Sequence, residues 1–148
     1  MNKDKIKNFI EESYRIEWED INISDEDVKA LITFIEQPIT EKSVLEYHRR
    51  VAAGNDRAGK YRKVQVYIWH HTPPAPEVVP VNMKSFFQDI DTLTSRFAHN
   101  RFELIHPFND YNGRLGRAIR LHIAIKEWYN FWIPFLHQYY YQTLEYLQ

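Results

Sequence analysis

The chain has 148 residues, a length that suits one domain around one core. Hydrophobic residues make up 44% and charged residues 26%, with a formal net charge of −1, so it reads as a soluble globular protein lacking the basic stripe of a nucleic-acid binder. There is no cysteine, which excludes disulfides and thiolate chemistry; no signal-peptide core lies in residues 1–9 and no run of about 18 apolar residues suggests a membrane span, leaving the cytoplasm as the expected location.

The first spacing signal predicts a helix over 4–18. Ile6, Phe9 and Ile10 form an apolar stripe, and continuing it reaches Ser13 and Glu17, two polar residues on the face expected to be buried. After a break at 19–23, Ser24 is placed as an N-cap, with Asp25, Glu26 and Asp27 suiting the helix dipole. Val28, Leu31, Ile32 and Ile35 give that helix its apolar face, and Pro38 ends it. Thr40 caps a third helix to about 53, stopped by Gly54, and 54–59 is a polar loop.

Residues 63–69 alternate Val64, Val66 and Ile68 with polar or aromatic positions, which predicts a strand. The following HHTPPAPEVVP has four prolines in eleven residues, which argues against a helix there. A short hairpin or flap over about 60–80 is the natural reading. Asn82 is expected to cap a helix running to about 100. A later helix, reaching to about 130, is apolar on most sides through Leu115, Ile119, Ile123, Ile125 and Trp128, which marks it as central. A last helix is expected from about Pro134 to 147. With no repeat and no linker, residues 1–148 form a single domain in this reading, mainly α.

The informative stretch is 106–117, HPFNDYNGRLGR, a loop running into a helix N-terminus. Free backbone N–H groups there, with the helix dipole behind them, make an anion site, and Gly113 lets backbone approach a phosphate. Arg114 and Arg117, three apart, are suited to clamping a polyphosphate. Asp110 beside phosphates suggests Mg²⁺, which takes oxygen ligands. His106 is a candidate general base near neutral pH, and Phe108 an apolar peg for the loop.

This string resembles the signature of the Fic (filamentation induced by cAMP) family, HxFx(D/E)GNGRxxR, through His106, Phe108, Asp110, Asn112, Gly113, Arg114 and Arg117, with Tyr111 where the family usually has Gly. Lys60, Tyr61 and Arg62 look like its GxYR segment, and His99 and Phe102 like its lead-in helix. The resemblance implies a Fic-like helical bundle with a short β-hairpin flap. It implies a protein adenylyltransferase, with ATP as donor, Mg²⁺ as cofactor and a protein hydroxyl as acceptor, the chain itself among the candidate targets. By that likeness His106 would be the base and Asp110 would hold Mg²⁺. Asn112 and Gly113 would steady the α-phosphate, and Arg114 and Arg117 the β- and γ-phosphates. The flap, about 64–68, would pin the target by strand addition. No nucleic acid and no membrane is expected as partner, and a homodimer is left open.

Members with an N-terminal inhibitory helix carry (S/T)xxxE(G/N). Ser13 and Glu17 match it, while Trp18 departs. A carboxylate on an inward face needs a cationic partner, and Arg117 is the expected one. Two alternatives stay open: a degenerate Fic fold, altered by Tyr111, that binds nucleotide or a partner without turnover, and a relative using another donor or transferring phosphate. The histidines offer no shared ligand spacing for zinc; His48 and His99 are expected to serve packing or hydrogen bonding. The run Tyr139, Tyr140, Tyr141 is read as core and rim of the last helix.

Overall fold

The structure, a computed structural model, describes residues 2–17, 22–69 and 71–127. It is mainly helical: α1 (Lys3–Ile16), α2 (Asp25–Ile35), α3 (Glu41–Val51), α4 (Val79–Asp89), α5 (Ser95–Ile105) and α6 (Asn112–Glu127). The helix expected after Pro134, its tyrosine run, Trp18 and Trp128 lie outside the described residues.

The helix starts follow local chemistry. Ser24 and Asp27 form a capping box at α2, and Thr40 and Ser43 form one at α3. α6 lies at the centre, against α1, α2, α3 and α5, and buries Leu115, Ala118, Ile119, Leu121 and Ala124. Ile6, Phe9, Ile10 and Ile16 of α1 enter the same core as Leu31 and Phe34 of α2, Val44 of α3, and Phe102 of α5. The N-terminal helix is therefore a wall of the core. Glu127 Oε1 accepts from the Ser95 backbone N–H (2.8 Å), closing the antiparallel α5–α6 pair at one end. No described helix is long and apolar enough to cross a membrane.

Two expectations need correction. The single helix expected over 82–100 is two, α4 and α5, separated by a 3-10 turn at Ile90–Thr92. Thr94 starts the second by accepting the Phe97 N–H on its hydroxyl (3.4 Å). α4 begins earlier than Asn82, because Pro80 sits in its first turn, where the missing N–H has no intrahelical acceptor to lose. A 3-10 turn at Pro76–Val78 leads directly into it, so the end of the proline-rich segment is helical after all.

The second concerns the flap. No strand forms among the described residues, and the excursion between α3 and α4 carries one isolated antiparallel bridge, Ile68 to His71. Pro73, Pro74 and Pro76 have no N–H to donate, so the returning limb cannot build a ladder. Side chains tie the limbs instead. Gln65 Nε2 donates to the Pro73 carbonyl (2.9 Å), and the Arg62 guanidinium donates to the carbonyls of Val64 (3.1 Å) and Pro74 (2.6 Å).

Candidate active site

α5 ends, and α6 begins, at the loop that carries the signature. His106 is the C-cap of α5 and adopts a left-handed conformation (φ 49°, ψ 62°), which turns the chain out of the helix. Arg62, 1% exposed, holds that turn from outside. Its Nε donates to the His106 carbonyl (2.7 Å), its Nη2 to the Ile105 carbonyl (3.3 Å), and its backbone N–H to Pro107 (2.9 Å). One buried cation thus caps α5 and fixes the flap limbs to the base of the loop.

The loop is anchored below by Phe108, which is buried and stacked on His48 at 3.8 Å between ring centres. His48 Nδ1 accepts the Gly59 N–H (2.9 Å), so its Nε2 carries the proton and donates to the Asp110 carbonyl (3.1 Å). Burial holds His48 below the ordinary histidine range, which keeps this tautomer neutral. Asn112 closes the loop on itself: its Nδ2 donates to the Phe108 carbonyl and its Oδ1 accepts the Phe108 N–H, both at 2.9 Å. Tyr111 takes φ 67°, the left-handed region, and its N–H donates to Asp110 Oδ1 (2.8 Å). Its ring covers the Arg114 guanidinium at 4.1 Å, with Tyr14 of α1 on the same cation at 5.3 Å.

The structure brings Ser13, Glu17 and Arg117 together. Arg117 is 0% exposed. Its Nε donates to Ser13 Oγ (2.8 Å), and its Nη2 to the Ser13 carbonyl (3.2 Å) and to Glu17 Oε1 (2.7 Å). Glu17 stands at the C-cap of α1 with its side chain 35% exposed. The desolvated partner of this pair is the arginine, not the carboxylate. Glu17 also presses on Gly113, where a Cβ would lie 2.6 Å from Oε1. A carboxylate thus rests against the first turn of α6, at the end of the helix where the dipole favours negative charge.

His106 lies at the rim of this cluster. Burial drives its pKa down to about 4, opposed by the Glu103 carbonyl and by Glu17, and assisted by Arg62 and His71. Its imidazole is therefore neutral near pH 7, the form able to accept a proton. Asp110 is exposed, and no group of three or more His, Cys, Asp or Glu side chains comes together among the described residues. A cation here would have Asp110 as its protein carboxylate and draw its other ligands from phosphates and water. That donor set fits Mg²⁺ better than a metal needing a protein cage. Sequence reasoning overlooked Glu103, three residues before His106, and took Arg62 only as part of a resemblance.

The profile of the Fic/DOC family matches residues 38–124. The chain belongs to that family. The protein adenylyltransferase fic-1 of Caenorhabditis elegans is 38% identical over 92 residues, which are 55% of this chain and 18% of that protein. The protein adenylyltransferase Fic of Nematostella vectensis is 36% identical over 94 residues, 56% of this chain and 22% of that one. The chain therefore spans a small part of these relatives. A Fic-domain signaling protein from Bacteroides thetaiotaomicron shares the fold with a TM-score of 0.77, 20% identity, and coverage of 99% of this chain and 72% of that one. Fic-1 of C. elegans (residues 134–508) gives 0.70, at 22% identity, over 97% of this chain and 55% of that chain. The Fic arrangement of helices thus extends beyond the matched segment to α1.

Proposed function

We propose that this Fic domain is a protein adenylyltransferase, moving AMP from ATP to a Ser, Thr or Tyr hydroxyl of a protein, and that α1 restrains it. The observation that carries the reading is the convergence of a neutral His106 with Asn112, Gly113, Arg114 and Arg117 at one helix N-terminus. In the proposed reaction the target oxygen attacks the α-phosphorus. A new P–O bond forms as the bond to the bridging oxygen of pyrophosphate breaks, and the hydroxyl proton passes to His106. Asn112 holds the loop so that the N–H groups of the first turn face the α-phosphate as charge builds, and the two arginines receive the remaining phosphates. Mg²⁺ at Asp110, when bound, would neutralise phosphate charge. The limb at 63–69, with Tyr67 77% and Trp69 90% exposed, is suited to receive an extended target segment.

In this reading Glu17 restrains the enzyme in two ways. It engages the Arg117 guanidinium, and it sets a negative charge where phosphate would approach Gly113. The test is one gel. Parent, Glu17→Gly, and Glu17→Gly with His106→Ala are incubated with α-labelled ATP and Mg²⁺, alone and with lysate. Weak label on the parent, strong label on Glu17→Gly and none on the double variant is the expected pattern. Label from γ-labelled ATP instead would replace AMP transfer by phosphate transfer. Silence with every donor would leave the site as a nucleotide-binding module, with Tyr111 as the first suspect.

A further inference from the structure

Glu103 is used nowhere in the proposed reaction, yet it is the carboxylate built into the floor of the site. It lies on the last turn of α5, with Oε2 3.9 Å from His106 Nδ1 and Oε1 3.8 Å from His99 Nε2. Its side chain is 13% exposed and its Oε1 has no hydrogen-bond partner, while the Glu103 backbone carbonyl is the other acceptor facing the His106 ring. Room for it is made by α6: a Cβ on Gly116 would collide with Glu103 Oε1 and come within 3.0 Å of His99. A buried carboxyl with an unfilled oxygen, in a notch opened by a glycine, is costly unless it serves a partner that carries positive charge at some stage.

The base itself becomes such a partner. His106 is kept neutral by burial, so the imidazolium formed on proton uptake is the disfavoured form. Five groups face the ring: Glu103 from its own helix, Arg62 and His71 from the flap limbs, Glu17 from α1, and Glu103 again through its carbonyl. Two of these are carboxylates, and Glu17 is the one that relief of the proposed restraint takes away. Glu103 in turn is faced by Arg117 from α6, Glu17 from α1, and His99, which Arg117 and Arg120 of α6 also face. Burial pushes Glu103 up to about 7, Glu17 adds to that and Arg117 opposes it, so withdrawing Glu17 favours the ionised carboxylate when the base needs it.

We propose that Glu103 is a positioning residue for His106. Its carboxylate takes the Nδ1–H of the imidazole, leaving the Nε2 lone pair to the target hydroxyl, and supplies the countercharge once Nε2 holds the target's proton. The 3.9 Å separation closes to a hydrogen bond in the loaded site, as such contacts commonly do. The logic is that of a carboxylate orienting a catalytic histidine. It rests on the adenylyltransferase reading for its role, and on the carboxylate–imidazole pair alone for its physics.

The experiment separates the two. In the Glu17→Gly background, nitrogen-15 histidine NMR at pH 8, where Glu103 is ionised and His106 neutral, reads the tautomer of His106, assigned by its loss in His106→Ala, with Glu103 intact, as Gln and as Asp. The proposal expects the Nδ1–H form of His106 to dominate with Glu103, to lose ground severalfold in Glu103→Gln and to recover in part in Glu103→Asp. AMP-transfer kcat should fall about ten- to a hundredfold, with KM for ATP within about twofold. A His106 tautomer ratio that stays put in a folded Glu103→Gln protein, or a change confined to His99, would overturn it. If no variant transfers AMP but the His106 tautomer shifts as expected, the pair stands and the adenylyltransferase reading falls.

Discussion

Tyr111 holds a backbone conformation that costs an L-residue with a side chain about 1–2 kcal/mol. Two contacts offset that cost: its N–H on Asp110 Oδ1, and its ring on the Arg114 guanidinium. The residue where the family usually has glycine thus packs Arg114, one of the two arginines proposed to hold phosphate, against α1 beside Tyr14. The two parts can be separated. Tyr111→Ala keeps the left-handed strain and loses the ring, whereas Tyr111→Gly loses both. Urea unfolding should find Tyr111→Gly more stable than Tyr111→Ala by about 1 kcal/mol, the reverse of the usual order of glycine and alanine. Equal stabilities would mean that the turn relaxes when the ring is gone.

At the scale of elements, α1 joins the proposed restraint to an architectural part. Its polar positions Ser13 and Glu17 meet Arg117, while Ile6, Phe9, Ile10 and Ile16 fill the core. Phe9→Ala should cost about 3–5 kcal/mol in denaturant unfolding, and deleting the helix should leave a protein that does not fold cooperatively. Glu17→Gly should cost less than Phe9→Ala, because the partly exposed carboxylate adds nothing to the core and Ser13 continues to hold Arg117, but more than a surface ion pair would, because the Arg117 guanidinium is buried. A Glu17→Gly protein with the unfolding profile of a deletion would contradict this division.

The same helix shows what the sequence makes legible. A serine and a glutamate at helical spacing on an apolar stripe are visible without coordinates, and so is their need for a cation. The caps at Ser24 and Thr40 read correctly because their partners lie within three residues. The 63–69 limb misled because alternation reports a two-sided surface and says nothing of whether a neighbour can donate hydrogen bonds; here prolines cannot. Arg62 and Glu103 stay hidden for a different reason. Arg62 acts on a carbonyl 44 positions away, and Glu103 depends on a notch made by a glycine of another helix.

Across the whole molecule, burial shifts several titrating groups in one direction. His48, His99, His106 and His122 are all held below the ordinary histidine range, chiefly by desolvation. Below about pH 6.5 the unfolded chain binds protons that the folded one refuses, so their contribution to stability is lost as pH falls. Glu103 acts oppositely. Raised from 4.5 to about 7, it keeps a proton in the folded state that the unfolded chain releases, and this favours folding on acidification in that window. Four groups against one predict a net loss, with Tm falling by roughly 5 °C or more between pH 7.5 and pH 5. Glu103→Gln should steepen the fall, since it removes the opposing group. A flat Tm over this range would mean that the histidines gain partners on protonation.

The contact between Glu17 and Arg117 joins residues 100 positions apart within one polypeptide. Such a tethered carboxylate acts at an effective concentration set by the fold, whatever the amount of protein present. It therefore cannot be diluted away, and a free anion wins the arginine only by exceeding that local concentration or by binding more tightly than a lone carboxylate can. The N-terminal helix, in the proposed role, would set a threshold on ligand concentration: a single phosphate falls below it, while a ligand that spreads its charge over both arginines and the helix N-terminus is the kind able to cross it.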